Sequence, residues 1–159
     1  MGKKIGPNPT DRAKSGTKRS LLTDGVGVPI GLCVAGANTV DFKLVAKTIE
    51  SIPLVRPVEA DPFAIEHLCL DAGYDKDLVR ELGDLFGYTL HIVPRNKEAR
   101  ELKKQLGKKA RRWVVERSHS WFNRYRAILI RWEKKVANYL AMLHLTCAII
   151  SFRAAGLLR

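Results

Sequence analysis

With 159 residues and a formal net charge of +12, the chain is long enough to bury one real core. Its 46% hydrophobic and 28% charged residues exclude wholesale disorder. Cys33, Cys69 and Cys147 are too far apart for a CxxC-type metal site and lie in apolar runs, so they read as buried free thiols in a reducing compartment.

Residues 1–17 read as a Gly/Pro-rich basic loop, and MGKKIGPNPTDR offers no apolar stretch of the kind a secretory leader needs. Strands are expected over 18–24 and 28–35, joined at Gly25-Val26-Gly27 as a β-hairpin. Asp41 is placed to cap a helix over 41–52, and 52–62 reads as a proline-broken loop. HisLeuCysLeuAsp (67–71) has no polar alternation and predicts a strand buried on both faces. Asp75 is placed to cap a helix over 76–86 that stops at Gly87, and a strand is expected over 89–94. A strand, a helix and a strand in this order predict a βαβ unit with 67–71 and 89–93 parallel. The strongly basic stretch 96–107 leads to helices expected over 109–127 and 134–155. Val136–Phe152 is apolar enough to raise a membrane reading. Asn138, His144, Thr146 and Ser151 interrupt it, which favours a buried core helix with His144 as a core histidine. The order β-β-α-β-α-β-α-α is mixed α/β.

Charge is segregated along this order. Residues 1–19 carry net +5, 20–93 net −6, 94–135 net +11 and the remainder +2. An acidic middle between basic flanks points to a polyanionic partner, and Trp113, Trp121, Phe122, Tyr125 and Trp132 interleave the densest block. Two acids stand out in this setting. Asp71 closes an apolar strand at a glycine turn, where it serves either as the cap of that turn or as a ligand-facing carboxylate at a strand's carboxyl end. Glu116 is the only acid between Glu101 and Glu133. Helical spacing sets Arg112, His119, Ser120 and Asn123 on its face, with Trp113, Val115, Phe122 and Tyr125 as apolar neighbours. A carboxylate on a helix meant to approach phosphates is explained by a cation between them, and Mg²⁺ is held by a few carboxylates together with phosphate oxygens.

The strings GPNPTDRAKSGTKRSLLTDGVGVPIGL, GANTVDFKL, LCLDAGYD and RRWVVERSHSWFNRYRAILIRWEKKVANYLAMLHL resemble the insertion-sequence DDE transposases, specifically the insertion-sequence-five-like group, over nearly the whole chain. The resemblance implies an RNase H-like catalytic domain over 18–159 behind a basic loop at 1–17. It further implies Mg²⁺- or Mn²⁺-dependent cleavage and joining of DNA at transposon ends and target, in the bacterial cytoplasm and on the nucleoid, without a membrane. The family's second catalytic Asp maps onto Asp71 and its Glu onto Glu116, with Arg112 in the R-x-x-x-E spacing. Related transposases carry a Tyr three positions before that Arg and a Lys seven after the Glu. Lys109 and Asn123 stand there instead. Phosphate contacts are expected from Lys18, Arg19, Lys108, Lys109, Arg112, Arg117, Arg124 and Arg126, with His119 and Asn123 in support.

The family's first catalytic Asp lies upstream of GPNPTDR, and neither Asp11 nor Asp24 sits on the right element to replace it. The expectation is therefore a DDE transposase without its first Asp and central strand, with the edges of 18–24 and 67–71 facing each other or unpaired. It would be the downstream half of a two-frame enzyme, working with an upstream fragment or by self-association, or a decayed remnant. The rival readings are a non-catalytic DNA-binding fragment and, on charge alone, a ribosomal-type RNA-binding protein.

Overall fold

The computed structural model describes residues 4–53, 66–92 and 113–158. The chain divides into two units, one of residues 1–53 with 114–159 and one of residues 54–113. The expected loop over 54–62, the basic stretch 96–107 and the start of the helix expected from 109 lie outside the described residues.

In the first unit the glycine turn produces the hairpin that the sequence predicts. Strands β1 (Gly6–Pro7), β2 (Ser15–Thr23) and β3 (Pro29–Gly36) form one antiparallel sheet in that order. β2 and β3 pair from Thr17 opposite Gly36 to Thr23 opposite Pro29. Asp24 organises the turn, one carboxylate oxygen accepting the Val26 N–H at 2.9 Å and the Val28 N–H at 2.8 Å. The reading of residues 1–17 as loop throughout is corrected by β1, which pairs with Gly16 and Ser15. The polar turn between them closes on itself, with Asn8 N–H donating to Lys14 O at 2.8 Å, so a ladder forms without any apolar signal.

Helix α1 (Val45–Glu50) covers one face of this hairpin. A 3-10 turn, Asp41–Leu44, leads into it, and Asp41 does not cap it as the sequence suggests. The Asp41 carboxylate instead meets Lys18 Nζ at 2.9 Å, since a strand cation competes better for it than backbone N–H groups do. Thr48 Oγ1 donates at 2.8 Å to Ser20 Oγ or at 2.7 Å to Leu44 O, and the Leu32 N–H donates to Ser51 Oγ at 2.7 Å. The approach is close enough that a Cβ on Gly31 would lie 2.6 Å from the Thr48 carbonyl oxygen.

Three helices supply the rest of the core: α3 (Trp113–Asn123), α4 (Arg126–Leu129) and α5 (Val136–Ala154). Leu32 and Val34 of β3 pack with Phe122, Ile128, Tyr139, Leu143 and Ile150. The single helix expected to reach 127 ends at Asn123 and restarts at Arg126. Val114, Ser118 and Phe122 share the buried stripe of α3. On one continuous helix, Ile128 would turn about 240° from Phe122 and leave that stripe. The break allows both to be fully buried.

α5 is long and apolar enough to cross a membrane by length and composition alone. Its Tyr139, Leu143, Thr146 and Ile150 are buried at helical spacing along one stripe, while Leu145 and Phe152 are exposed, so it is a core helix on one side and not buried all round. His144 is exposed, contrary to its reading as a core histidine, because it falls one position outside that stripe. The cysteines are also less buried than expected. Cys69 is exposed, and Cys33 and Cys147 are half-buried.

The second unit is the predicted βαβ element. β4 (Glu66–Leu70) and β5 (Tyr88–Ile92) are parallel, with Leu68 opposite Leu90. Helix α2 (Asp77–Phe86) joins them and turns its Val79 and Gly83 inward. Gly87 ends the helix at φ 71°, a left-handed conformation that favours glycine. Asp75 does not cap α2; it pairs with Arg80, and Lys76 holds the cap position. β4 is not buried on both faces. Leu68 is buried while His67 and Cys69 are exposed, since α2 is the only described helix of this unit and covers one side. The fold is thus mixed α/β as expected, with the described strands in two sheets. Among the described residues, β2 beyond its pairing with β1 and β4 opposite β5 each keep one edge without a strand.

Candidate active site and nucleic-acid face

Asp71 follows the last residue of β4, at the carboxyl end of a parallel strand, and is half-buried. It is the N-cap of the 3-10 turn Ala72–Tyr74, and its Oδ1 accepts the Ala72 N–H at 2.8 Å. The capping role weighed from sequence is therefore real, and it fixes the carboxylate at the strand end.

Glu116 lies on the opposite side of α3 from the buried stripe and is exposed to solvent. Among the described residues it has no hydrogen-bond or ion-pair partner. Ser120 and Asn123 are exposed with it, and His119 is half-buried beside the core. The apolar neighbours expected around Glu116 divide otherwise. Phe122 enters the core and Tyr125 packs against it, whereas Trp113 and Val115 face solvent. The reason is again angular, because Phe122, six residues on, points about 240° away from Glu116.

Sequence reasoning missed what locks α3 in place. Ser118 is completely buried, with Oγ 2.6 Å from Gly27 O in the hairpin turn and 3.0 Å from Val114 O. Arg117 donates to Val26 O in the same turn and lies over the Trp121 ring at 4.9 Å. The turn ordered by Asp24 thus holds the helix that carries Glu116. A serine two positions after a glutamate gives no hint of such a contact, which spans 91 positions of chain.

The expected phosphate-binding cations fall into three groups. Arg124 and Arg126 are exposed. Lys18, Arg19 and Arg117 are engaged within the fold: Lys18 Nζ donates to Thr39 O at 2.8 Å, and Arg19 Nη2 donates to Asn123 Oδ1 at 3.1 Å. Lys108, Lys109 and Arg112 lie outside the described residues. Arg19 also sits over the Phe122 ring, 6.0 Å from its centre. His119 has its pKa lowered from 6.5, chiefly by burial and secondarily by the nearby Arg19 charge, so it is neutral at pH 7.

Asp71 and Glu116 offer hard carboxylate oxygens, the donors that Mg²⁺ and Mn²⁺ prefer. Among the described residues, no three His, Cys, Asp or Glu side chains are grouped to hold a metal ion. Each acid suits such an ion in kind, and the two belong to different units of the chain.

Comparison with known proteins identifies the family. Residues 68–153, a stretch that includes both acids, match the family described as "Transposase DDE domain". A Burkholderia cepacia protein described as a transposase for insertion sequence element IS402 is 36% identical over 148 residues, covering 92% of this chain and 68% of the relative. No solved structure matches the chain.

Proposed function

The chain belongs to the insertion-sequence DDE transposases, and on that premise we propose that it carries two of the carboxylates of a metal-dependent DNA strand-cleavage and strand-transfer site. Asp71 and Glu116 are the two, and Mg²⁺ or Mn²⁺ is the ion they would hold. The carrying observation is the setting of each acid inside the matched region. Asp71 is pinned at the carboxyl end of a parallel strand, and Glu116 projects to solvent from a helix anchored to the hairpin turn. Two such ions, when bound, activate a water or 3′-hydroxyl and stabilise the leaving oxygen of an in-line displacement. The RNase H-like arrangement, the bacterial cytoplasm and nucleoid as the place of work, and transposon ends and target DNA as substrates belong to this same reading.

The chain's own residues then have distinct tasks. Asp71 and Glu116 contribute oxygens, Arg124 and Arg126 meet DNA phosphates from an exposed face, and Arg112, Lys108 and Lys109 extend the same basic block. A third carboxylate comes from an upstream segment or fragment, or from a second copy of the chain. A second reading, a DNA-binding form without catalysis, is favoured by the exposed Arg124 and Arg126, which can meet phosphates without any metal. A basic N-terminal segment, 1–17, ahead of a catalytic domain, 18–159, is the division that this reading implies.

The test is cleavage of labelled duplexes bearing the element's ends, in Mg²⁺, by the protein together with whatever upstream fragment it requires. Asp71→Asn keeps an oxygen for the Ala72 N–H but removes the charge, and Glu116→Ala removes an exposed side chain. Each should reduce cleavage by more than the roughly 10–100-fold that losing an outer-shell partner costs, with DNA binding retained. Cleavage that survives both changes would refute the metal-ligand roles. DNA binding without cleavage by the unaltered protein would establish the second reading.

A further inference from the structure

The outer face of the second unit carries chemistry that DNA cleavage leaves unused. Leu68 of β4 is buried, and Leu90 of β5 lies against Gly83 of α2. Strand alternation then puts His67, Cys69, Thr89 and His91 on the opposite face, where all four are exposed. His67 stands opposite the short Thr89, and Cys69 opposite His91. The two imidazoles meet on the diagonal, with His67 Nδ1 and His91 Nε2 2.8 Å apart. Their ring centres are 4.9 Å apart and their planes cross at 53°.

One of these nitrogens donates to the other. A single hydrogen bond between exposed groups competes with water and contributes little. A divalent ion would gain both nitrogens at once, as a chelate whose second bond forms at high effective concentration. With metal–nitrogen bonds of about 2.0–2.1 Å at a tetrahedral angle, two donors stand about 3.3–3.4 Å apart. The rings need to separate by only about half an ångström and to turn their lone pairs toward a common point. The donating ring moves its proton to its other nitrogen, so both lone pairs become free without loss of a proton to solvent.

From this placement we infer that His67 and His91 form a binding site for a divalent transition-metal ion, Zn²⁺ foremost, which clips β4 to β5. Imidazole nitrogen suits Zn²⁺, whereas Mg²⁺ prefers oxygen donors. Neither Asp71 nor Glu116 takes part, and the site is independent of DNA cleavage. Among the described residues no third His, Cys, Asp or Glu completes a ligand group, so the two histidines hold the ion and water fills the remaining positions. Asp71 directly follows β4, and an ion that ties β4 to its partner also steadies the strand end at which Asp71 stands.

The test titrates the full chain with Zn²⁺ at pH 7.5 against a fluorescent zinc indicator, in excess Mg²⁺. Cys69→Ser is the background, so that the exposed thiol does not bind the ion by itself. It should take up roughly one ion per chain, and His67→Gln or His91→Gln should each weaken uptake by at least about tenfold. Both histidines are exposed, so these variants should keep the far-UV circular dichroism of the parent. Zn²⁺ should also slow amide exchange across residues 66–70 and 88–92 in the parent and not in the variants. Failure of the Cys69→Ser chain to bind Zn²⁺, equal binding by the histidine variants, or displacement of Zn²⁺ by Mg²⁺ overturns the site. Binding that leaves exchange in both strands unchanged overturns the clip.

Discussion

Leu32 and Val34 of the first unit meet Phe122, Ile128, Tyr139, Leu143 and Ile150, side chains that follow them by about a hundred positions. In the second unit, the described pairing of β4 with β5 and the packing of α2 on β5 are all contained in residues 66–92. Among the described residues, one unit is closed by distant chain and holds the larger core, and the other is a local element with Leu68 and Val79 as its buried apolar side chains. Closing long loops is entropically expensive and is repaid only by a large buried surface. The two units should therefore respond differently to the same kind of change.

Truncation of apolar side chains probes that contrast most strongly. Phe122→Ala, at a residue 1% exposed, should cost about 3–5 kcal/mol in urea unfolding. Leu85→Ala on α2, at a residue 76% exposed, should stay within about 0.5 kcal/mol. Equal losses at the two positions would break the comparison. Next in size is Gly31→Ala, which puts a methyl group against the Thr48 carbonyl where α1 meets β3. A loss of about 1–3 kcal/mol is expected, because backbone cannot move aside as a flexible side chain would. A neutral result would mean that α1 is held more loosely than its hydrogen bonds imply.

The smallest effect sharpens the comparison by chemistry. Cys147, packed against the first unit's core, has its thiol pushed up to about 11 by burial. Cys69, on the solvent face of β4, is exposed. An aromatic disulfide reagent at pH 8 should modify Cys69 first and Cys147 only slowly, because the thiolate is the reacting form. Both should react in denaturant. Fast native labelling of Cys147 would show that α5 opens readily.

Much of this was legible from the residues. The hairpin, the parallel βαβ unit, the stop at Gly87 and the long α5 followed from apolar runs and glycine punctuation, whose physical effects are local. The two proposed caps failed for one common reason. Asp41 and Asp75 each found a cation, Lys18 and Arg80, and an ion pair displaced the backbone contact. Burial on both faces of β4 failed because an apolar run does not report how many layers will cover it. The candidate acids were readable as residues out of keeping with their surroundings, whereas the anchoring of α3 by Ser118 and Arg117 was not.

The sequence by itself determined most of the described elements, the segregation of charge and the family, because each is carried by residue types in an order that any fold must respect. Only the tertiary structure decided that Phe122 belongs to the core rather than to Glu116. It alone decided that the helix after Asn123 must break to bury Ile128, and that Arg19 reaches Asn123 across 104 positions of chain. Those outcomes depend on which surfaces close on one another, and a side chain's partners are selected by that closure, not by its neighbours in sequence.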